Sequence, residues 1–224
     1  MSKNIILGYG LLGKEISDQT NWDYISRSKY KTFNFDNINS YKDVLLKYDT
    51  IINCVAHTDT YSQDKSKHWN TNYKALADLV DFCNIKNKKI VHISTDYIYA
   101  GSNKNADLED VPVHNKTWYS YTKLIADAYV QLKSEKYLII RCGFKEKPFK
   151  HEKAFDDVIG NFDYVDVIAK IIINLIRNNV EGVNNIGTEV KSVYDLAMTT
   201  NSNVNKSKSD NPLMPKDVTM DVNK

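Results

Sequence analysis

A short apolar run, Asn4 to Leu7, leads without a gap into Gly8-Tyr9-Gly10-Leu11-Leu12-Gly13, after which Lys14 to Asp18 reads as helix. Strand, glycine turn and helix in that order leave a chain few folds. The first glycine permits the tight turn, the second lets backbone approach a pyrophosphate, and the third lets helix pack on strand, with the phosphates at the helix N-terminus. A lone Gly-x-Gly-x-x-Gly is a weak signal, but here it takes three of only eight glycines and directly follows the first strand. The expected ligand is a dinucleotide, held at Gly8, Gly10, Leu11, Leu12 and Gly13.

A second strand, Asp23 to Ser26, runs into Ser26-Arg27-Ser28-Lys29, where a NAD-preferring fold would usually show an acidic residue. Arg27 and Ser28 suit a 2′-phosphate better than a free hydroxyl, so NADPH is expected, with NADH as the alternative. A third strand, Thr32 to Phe35, is expected to end at Asp36 and Asn37, within reach of the adenine edge. Helix-like Tyr41 to Lys47, a buried strand Thr50 to Ala56, helical periodicity from Thr71 to Phe82, a buried strand Lys88 to Ser94 and a strand Tyr137 to Arg141 follow. Residues 57 to 70 look irregular; His57 and His68 lack a second ligand at metal spacing, so no metal site is expected and both read as loop or surface residues. Asn103 to Lys116, with Pro112, reads as a polar loop. Strands alternating with helices predict an α/β fold with a Rossmann-type, doubly wound parallel sheet. Ligands bind beyond the carboxyl ends of such strands. That rule brings Cys54, Val55, Ala56, Ile93 and Cys142 to the cofactor side of one rim, with Thr95 to Tyr99 and Phe144 along it.

Trp118 to Lys123, followed by apolar-periodic Leu124 to Leu132, reads as a helix on which Tyr119 and Lys123 stand one above the other. On its own that pattern also fits a surface helix. A phenol beside an ammonium, however, can serve as a general acid or base near neutral pH. Tyr121 is two residues from Lys123, on another side, so Tyr119 is the candidate.

At 224 residues the chain has room for one domain, or one with a small appendage. Its 30 basic against 28 acidic residues give no case for a nucleic-acid or membrane partner. Cys54, Cys83 and Cys142 are isolated, which indicates neither a disulfide framework nor zinc and points to a reducing, cytoplasmic setting. The most apolar window, Val167 to Ile176, is interrupted by Lys170 and too short to span a membrane, and no signal peptide fits. In the last third, Lys145 to Lys153 shows no clear element, Val165 to Asn178 is a strong helix, Val183 to Ile186 a short strand and Val193 to Met198 a short helix. Beyond Thr199 the Asn, Ser and Lys content reads as loop or disorder.

With these motifs in order, the chain resembles extended short-chain dehydrogenase/reductases, and within them the dTDP-4-dehydrorhamnose reductases. Ser94-Thr95-Asp96-Tyr97 matches that family's strand end, and Tyr119-Ser120-Tyr121-Thr122-Lys123-Leu124 matches its Tyr-Gly-Lys-Thr-Lys-Leu segment. Asn53 to Ala56, Thr71-Asn72 and Pro215 to Lys224 match further positions. The resemblance covers residues 4 to about 144 well and is patchy afterwards.

Carried over, it implies that Tyr119 donates a proton, that Lys123 lowers its pKa and holds the nicotinamide ribose, and that Thr95 hydrogen-bonds the substrate carbonyl. Asp96, Tyr97 and Phe144 then line the substrate side, Phe144 standing where the family commonly has a tryptophan. Dehydration is disfavoured because Asp96 is followed by Tyr97 rather than glutamate. A long family insertion is cut to Lys145 to Ile159, so residues 1–144 read as the NAD(P)-binding domain and 145–224 as a reduced substrate-binding part whose strand and helix elements pack back on it. The implied function is NADPH-dependent reduction of a nucleotide-linked 4-keto-6-deoxy sugar in deoxysugar or polysaccharide biosynthesis, with a homodimer open to it. The alternatives are a non-catalytic NADP-binding regulatory or scaffold subunit and a nucleotide-sugar epimerase.

Overall fold

The structure, a computed structural model, describes residues 3–101, 105–108 and 116–222. Most of the expected loop over residues 103–116, including Pro112, lies outside the described residues, as do residues 223 and 224 of the C-terminal segment. Strand β1 (Asn4–Leu7) is followed by α1 (Leu11–Thr20), β2 (Asp23–Ile25), α2 (Lys42–Leu45) and β3 (Thr50–Asn53). A helical turn α3 (Lys65–Lys67) continues through a π-helical stretch, His68–Lys74, into α4 (Ala75–Ile85). Then come β4 (Lys89–Ile93), α5 (Trp118–Lys133) and β5 (Tyr137–Arg141).

The C-terminal part supplies β6 (Phe144–Lys145), β7 (Lys153–Phe155), β8 (Ile159–Gly160), β9 (Asp163–Tyr164), α6 (Val165–Arg177) and β10 (Gly182–Asn185). It ends with β11 (Lys191–Ser192), α7 (Val193–Met198), β12 (Asn205–Ser207) and β13 (Asp217–Val218).

Six strands form one parallel sheet in the order β10-β5-β4-β3-β1-β2, the doubly wound, Rossmann-type arrangement that the sequence predicts. Strand side chains alternate between its two covered faces, which is why these strands read as continuous apolar runs. Ile5, Leu7, Ile51, Ile90 and Ile139 pack under α4 and α5, together with Leu76, Leu79, Val80, Ala126 and Val130. Ile6, Ile52, Val91, Leu138 and Ile140 pack under α1 and α6. On α6 the buried Val165, Ile168, Ala169, Ile172, Ile173 and Ile176 form one stripe at helical spacing. The sheet order reverses between β1 and β3, so the crevice at their carboxyl ends is the natural ligand position.

Three expectations are corrected. Thr32 to Phe35 is not a strand: residues 26 to 37 close successive turns, with Tyr30 N donating to Ser26 O and Asn37 N to Asn34 O. Phe33 and Phe35 are instead buried against Tyr41, so their apolarity serves side-chain packing and β2 is left as the sheet edge. Helical structure begins at Lys65 rather than Thr71, because Asp64 caps it by accepting from Lys67 N. The segments read as lacking structure, Lys145 to Lys153 and the chain beyond Thr199, supply strands that pair: β6 with β9, β7 with β12, and β13 with β8. Each strand is two or three residues long and its partner lies far away in sequence, so no local period announces it. Phe149, Ala154, Val158, Phe162, Val193, Leu196 and Val204 form a separate small core there.

Candidate active site

The glycine turn opens the site. Gly8 has φ +91°, a left-handed conformation that L side chains avoid. A Cβ on Gly13 would stand 2.1 Å from Gly8 O, so α1 can approach β1 only with glycine there. A Cβ on Gly10 would meet nothing within 4 Å. Gly10 also caps α1 with no side chain, which leaves the first-turn amides of Leu11, Leu12 and Gly13 facing a cleft of about 440 Å³. An uncapped helix N-terminus of this kind is built for a phosphate. The cradle thus fits the dinucleotide that the sequence predicts.

Across the cleft stands the end of β4. Thr95 caps a short 3₁₀ turn, Asp96–Tyr99, its Oγ1 accepting from Tyr97 N at 3.2 Å and donating to Asp96 Oδ1 at 3.1 Å. Asp96 is buried, which raises its carboxyl pKa, while the Lys145 ammonium pulls it back down. Tyr97 stands edge-on to Tyr119, ring centroids 6.3 Å apart.

Helix α5 begins at the cap Thr117, which accepts from Ser120 N, and this start places Tyr119 and Lys123 on the cleft side. Tyr121 is exposed, in keeping with its being two residues from Lys123. Burial raises the Tyr119 pKa, and a hydrogen bond with the Thr95 side chain is the part that lowers it. The Lys123 ammonium is occupied elsewhere, donating to Ile93 O at 2.6 Å and contacting His92 Nε2 at 3.1 Å. Its own pKa is lowered to about 8, chiefly by burial.

Of the expected residues, Gly10, Leu11, Leu12, Gly13, Cys54, Val55 and Ala56 line one side of this cleft. Ile93, Thr95, Asp96, Tyr97, Tyr119, Lys123, Cys142 and Phe144 line the rest. Gly8 is not in the lining and acts through its backbone. Arg27, Ser28, Asp36 and Asn37 also stand outside the lining; Ser28 is hydrogen-bonded to Ser26, and Asp36 to Thr71.

His68 is fully buried rather than a surface residue, its ring centroid 4.5 Å from that of His57. Asn72 joins both to the site: its Oδ1 accepts from His57 N at 2.7 Å, and its Nδ2 donates to Thr122 on α5 at 3.2 Å. Residue reasoning gave no role to His92, Asp127 or Lys145, because each gains its partners only across elements. A second cleft of about 440 Å³, lined by Phe149, Lys150, His151, Lys153 and Phe155, also went unpredicted. It shares Tyr97, Lys145 and Val158 with the first. No helix among the described residues is long and apolar enough to cross a membrane.

A family model described as the RmlD substrate binding domain matches residues 4–144. Curated protein sequences give no match. Among solved structures, the chain is similar to dTDP-4-dehydrorhamnose reductase from Bacillus anthracis in complex with NADP, with TM-score 0.85 and 21% identity over 100% of this chain and 92% of that one. A dTDP-4-dehydrorhamnose reductase ortholog from Clostridium acetobutylicum gives 0.83 and 21%, over 98% and 90%. The Bordetella bronchiseptica enzyme WbmH in complex with NAD+ gives 0.80 and 13%, over 99% and 89%. At these identities the structures speak for the fold. The family model covers well over half of the chain and includes the glycine turn, the Thr95 strand end and the Tyr119–Lys123 pair, so the chain belongs to the family of the RmlD substrate binding domain.

Proposed function

We propose that this protein is an NADPH-dependent reductase of the 4-keto group of a nucleotide-linked 4-keto-6-deoxy sugar. The observation that carries the reading is that Thr95, Tyr119 and Lys123 line one cleft whose other wall is the uncapped N-terminus of α1. Gly10 to Gly13 would hold the pyrophosphate, Arg27 and Ser28 the 2′-phosphate, and Lys123 the nicotinamide ribose. Bound NADPH would supply a hydride to the ketone carbon. The oxygen of that ketone then becomes an alkoxide in need of a donor and a proton. The Thr95 hydroxyl, which donates to Asp96 Oδ1 in the structure, would turn to give the hydrogen bond. The Tyr119 phenol, raised by burial, is fully protonated at neutral pH and so serves as a stored acid in the direction of reduction.

The second cleft supports a nucleotide-linked substrate. Phe149 and Phe155 offer apolar walls for a base, and Lys145, Lys150 and Lys153 offer charge for a diphosphate. A likeness to NADP-bound and NAD-bound neighbours agrees with a nicotinamide cofactor.

Mixing the protein with NADPH and a panel of nucleotide-linked 4-keto-6-deoxy sugars tests the reading through the fall in absorbance of the reduced nicotinamide. Turnover of at least one sugar is expected. Cofactor binding without turnover of any of them overturns it.

A further inference from the structure

Behind the cleft, between β3, β4, β5 and α5, lies a set of buried polar side chains that the proposed reaction does not use: Asn53, His92, Asp127 and Arg141. His92 touches Lys123 through Nε2 at 3.1 Å and Asn53 Nδ2 through Nδ1 at 3.4 Å. The amide of Asn53 is oriented by a separate bond, Val55 N donating to Asn53 Oδ1 at 3.1 Å, so an N–H of Asn53 faces the imidazole. Asp127 Oδ2 accepts from Arg141 Nε at 3.1 Å. Asp127 Oδ1 lies 3.7 Å from His92 Nε2, and the carboxylate also has the Ser94 hydroxyl beside it.

These contacts ask for more than one arrangement of protons. A neutral imidazole has one donor and one acceptor nitrogen. Burial and the nearby Lys123 ammonium hold the His92 pKa well below the ordinary histidine range, so it stays neutral. While Lys123 is an ammonium, its shorter, charge-assisted contact makes Nε2 the acceptor and puts the imidazole proton on Nδ1, against the Asn53 amide. Once Lys123 has lost its proton, the opposite tautomer suits both neighbours of the ring: Nδ1 accepts from Asn53, and Nε2–H points at the Asp127 carboxylate. One proton leaves the pair overall, and the imidazole keeps one throughout.

We propose that His92 is a positioning residue for Lys123: its Nε2 and Ile93 O hold two of the three ammonium N–H groups, leaving the third for the cleft, and its tautomer follows the lysine's charge. The inference rests on the role given to Lys123 in the proposed function. It reaches beyond that reading in assigning a second, buried histidine to the same proton inventory. The other charged and titratable groups facing Lys123 among the described residues are Tyr119 and Asp127 on its own helix, Cys54 after β3 and Cys142 after β5, with Arg141 on β5 reached through Asp127.

The test uses the protein without cofactor or sugar, so it does not depend on turnover. Nitrogen-15 histidine NMR on the full chain should show His92 with its proton on Nδ1 near pH 6.5, moving to Nε2 as the 13C-labelled Lys123 signal titrates. Loss of that lysine signal in Lys123→Met identifies it. One fixed tautomer across the lysine titration overturns the proposal. His92→Phe should lower the Lys123 titration midpoint by about one pH unit, and His92→Gln, which keeps an acceptor, by at most a few tenths. A midpoint unmoved in His92→Phe also overturns it. A failed sugar assay with the tautomer change intact sinks the proposed reaction alone.

Discussion

At Tyr119 two opposing influences meet: burial holds the phenol above its ordinary pKa and the Thr95 contact relieves part of that. The proposed reduction would consume a protonated phenol, so Tyr119→Phe should lower kcat by about a thousandfold while leaving the NADPH Kd within about twofold. Stopped-flow absorbance and a cofactor fluorescence titration separate the two effects; equal kcat would remove Tyr119 from its role. Lys123 carries a cost of its own. Its folded-state pKa of about 8 lies below the 10.5 of a free lysine, so the folded protein binds that proton less tightly than the unfolded chain. Stability therefore rises with pH between about 8 and 10.5 and is reduced below that window. Lys123→Met should raise Tm at pH 7, by the equivalent of about 2 kcal/mol, with the difference shrinking towards pH 10. Melting curves across that range give the answer, and a gap that widens with pH would contradict it.

The turn from β1 into α1 separates two uses of glycine. At Gly13 an added methyl would overlap the Gly8 carbonyl, and shifting α1 would disturb Leu12 and Ile16 against β1. Gly13→Ala should cost on the order of 3 kcal/mol, or prevent folding. At Gly10 the methyl has open space, so Gly10→Ala should fold with a Tm within a few degrees of the parent, yet bind NADPH at least tenfold more weakly because the methyl stands where phosphate approaches. Urea unfolding and cofactor titration of the two variants distinguish these outcomes. The stripe on α6 is sensitive in another way: Ile172→Ala, at a position with no exposure, should cost about 2–5 kcal/mol.

On the scale of the whole molecule, the last segment closes the structure. Strand β12 pairs with β7 and β13 with β8, while Val204, Val218 and Met220 are buried. Deleting residues 201–222 removes these partners and should lower Tm by about 10 °C or more, with the second cleft lost alongside. Scanning calorimetry measures this; an unchanged Tm would mean that the segment adds no stability.

The sequence by itself determined the parallel sheet and the glycine turn, and it singled out Tyr119 and Lys123 as candidates one helical turn apart. Those features depend on local apolar runs, on backbone conformations only glycine adopts and on the four-residue spacing of one helix. Tertiary structure alone decided that Phe33 and Phe35 pack under Tyr41 instead of adding a strand, and that residues 153–155 and 205–207 pair. It also decided that the Lys123 ammonium turns to Ile93 O and His92. Each of these depends on which groups from distant segments meet after the water between them has gone, and on the hydrogen bonds that each must then find; no window of sequence contains both partners.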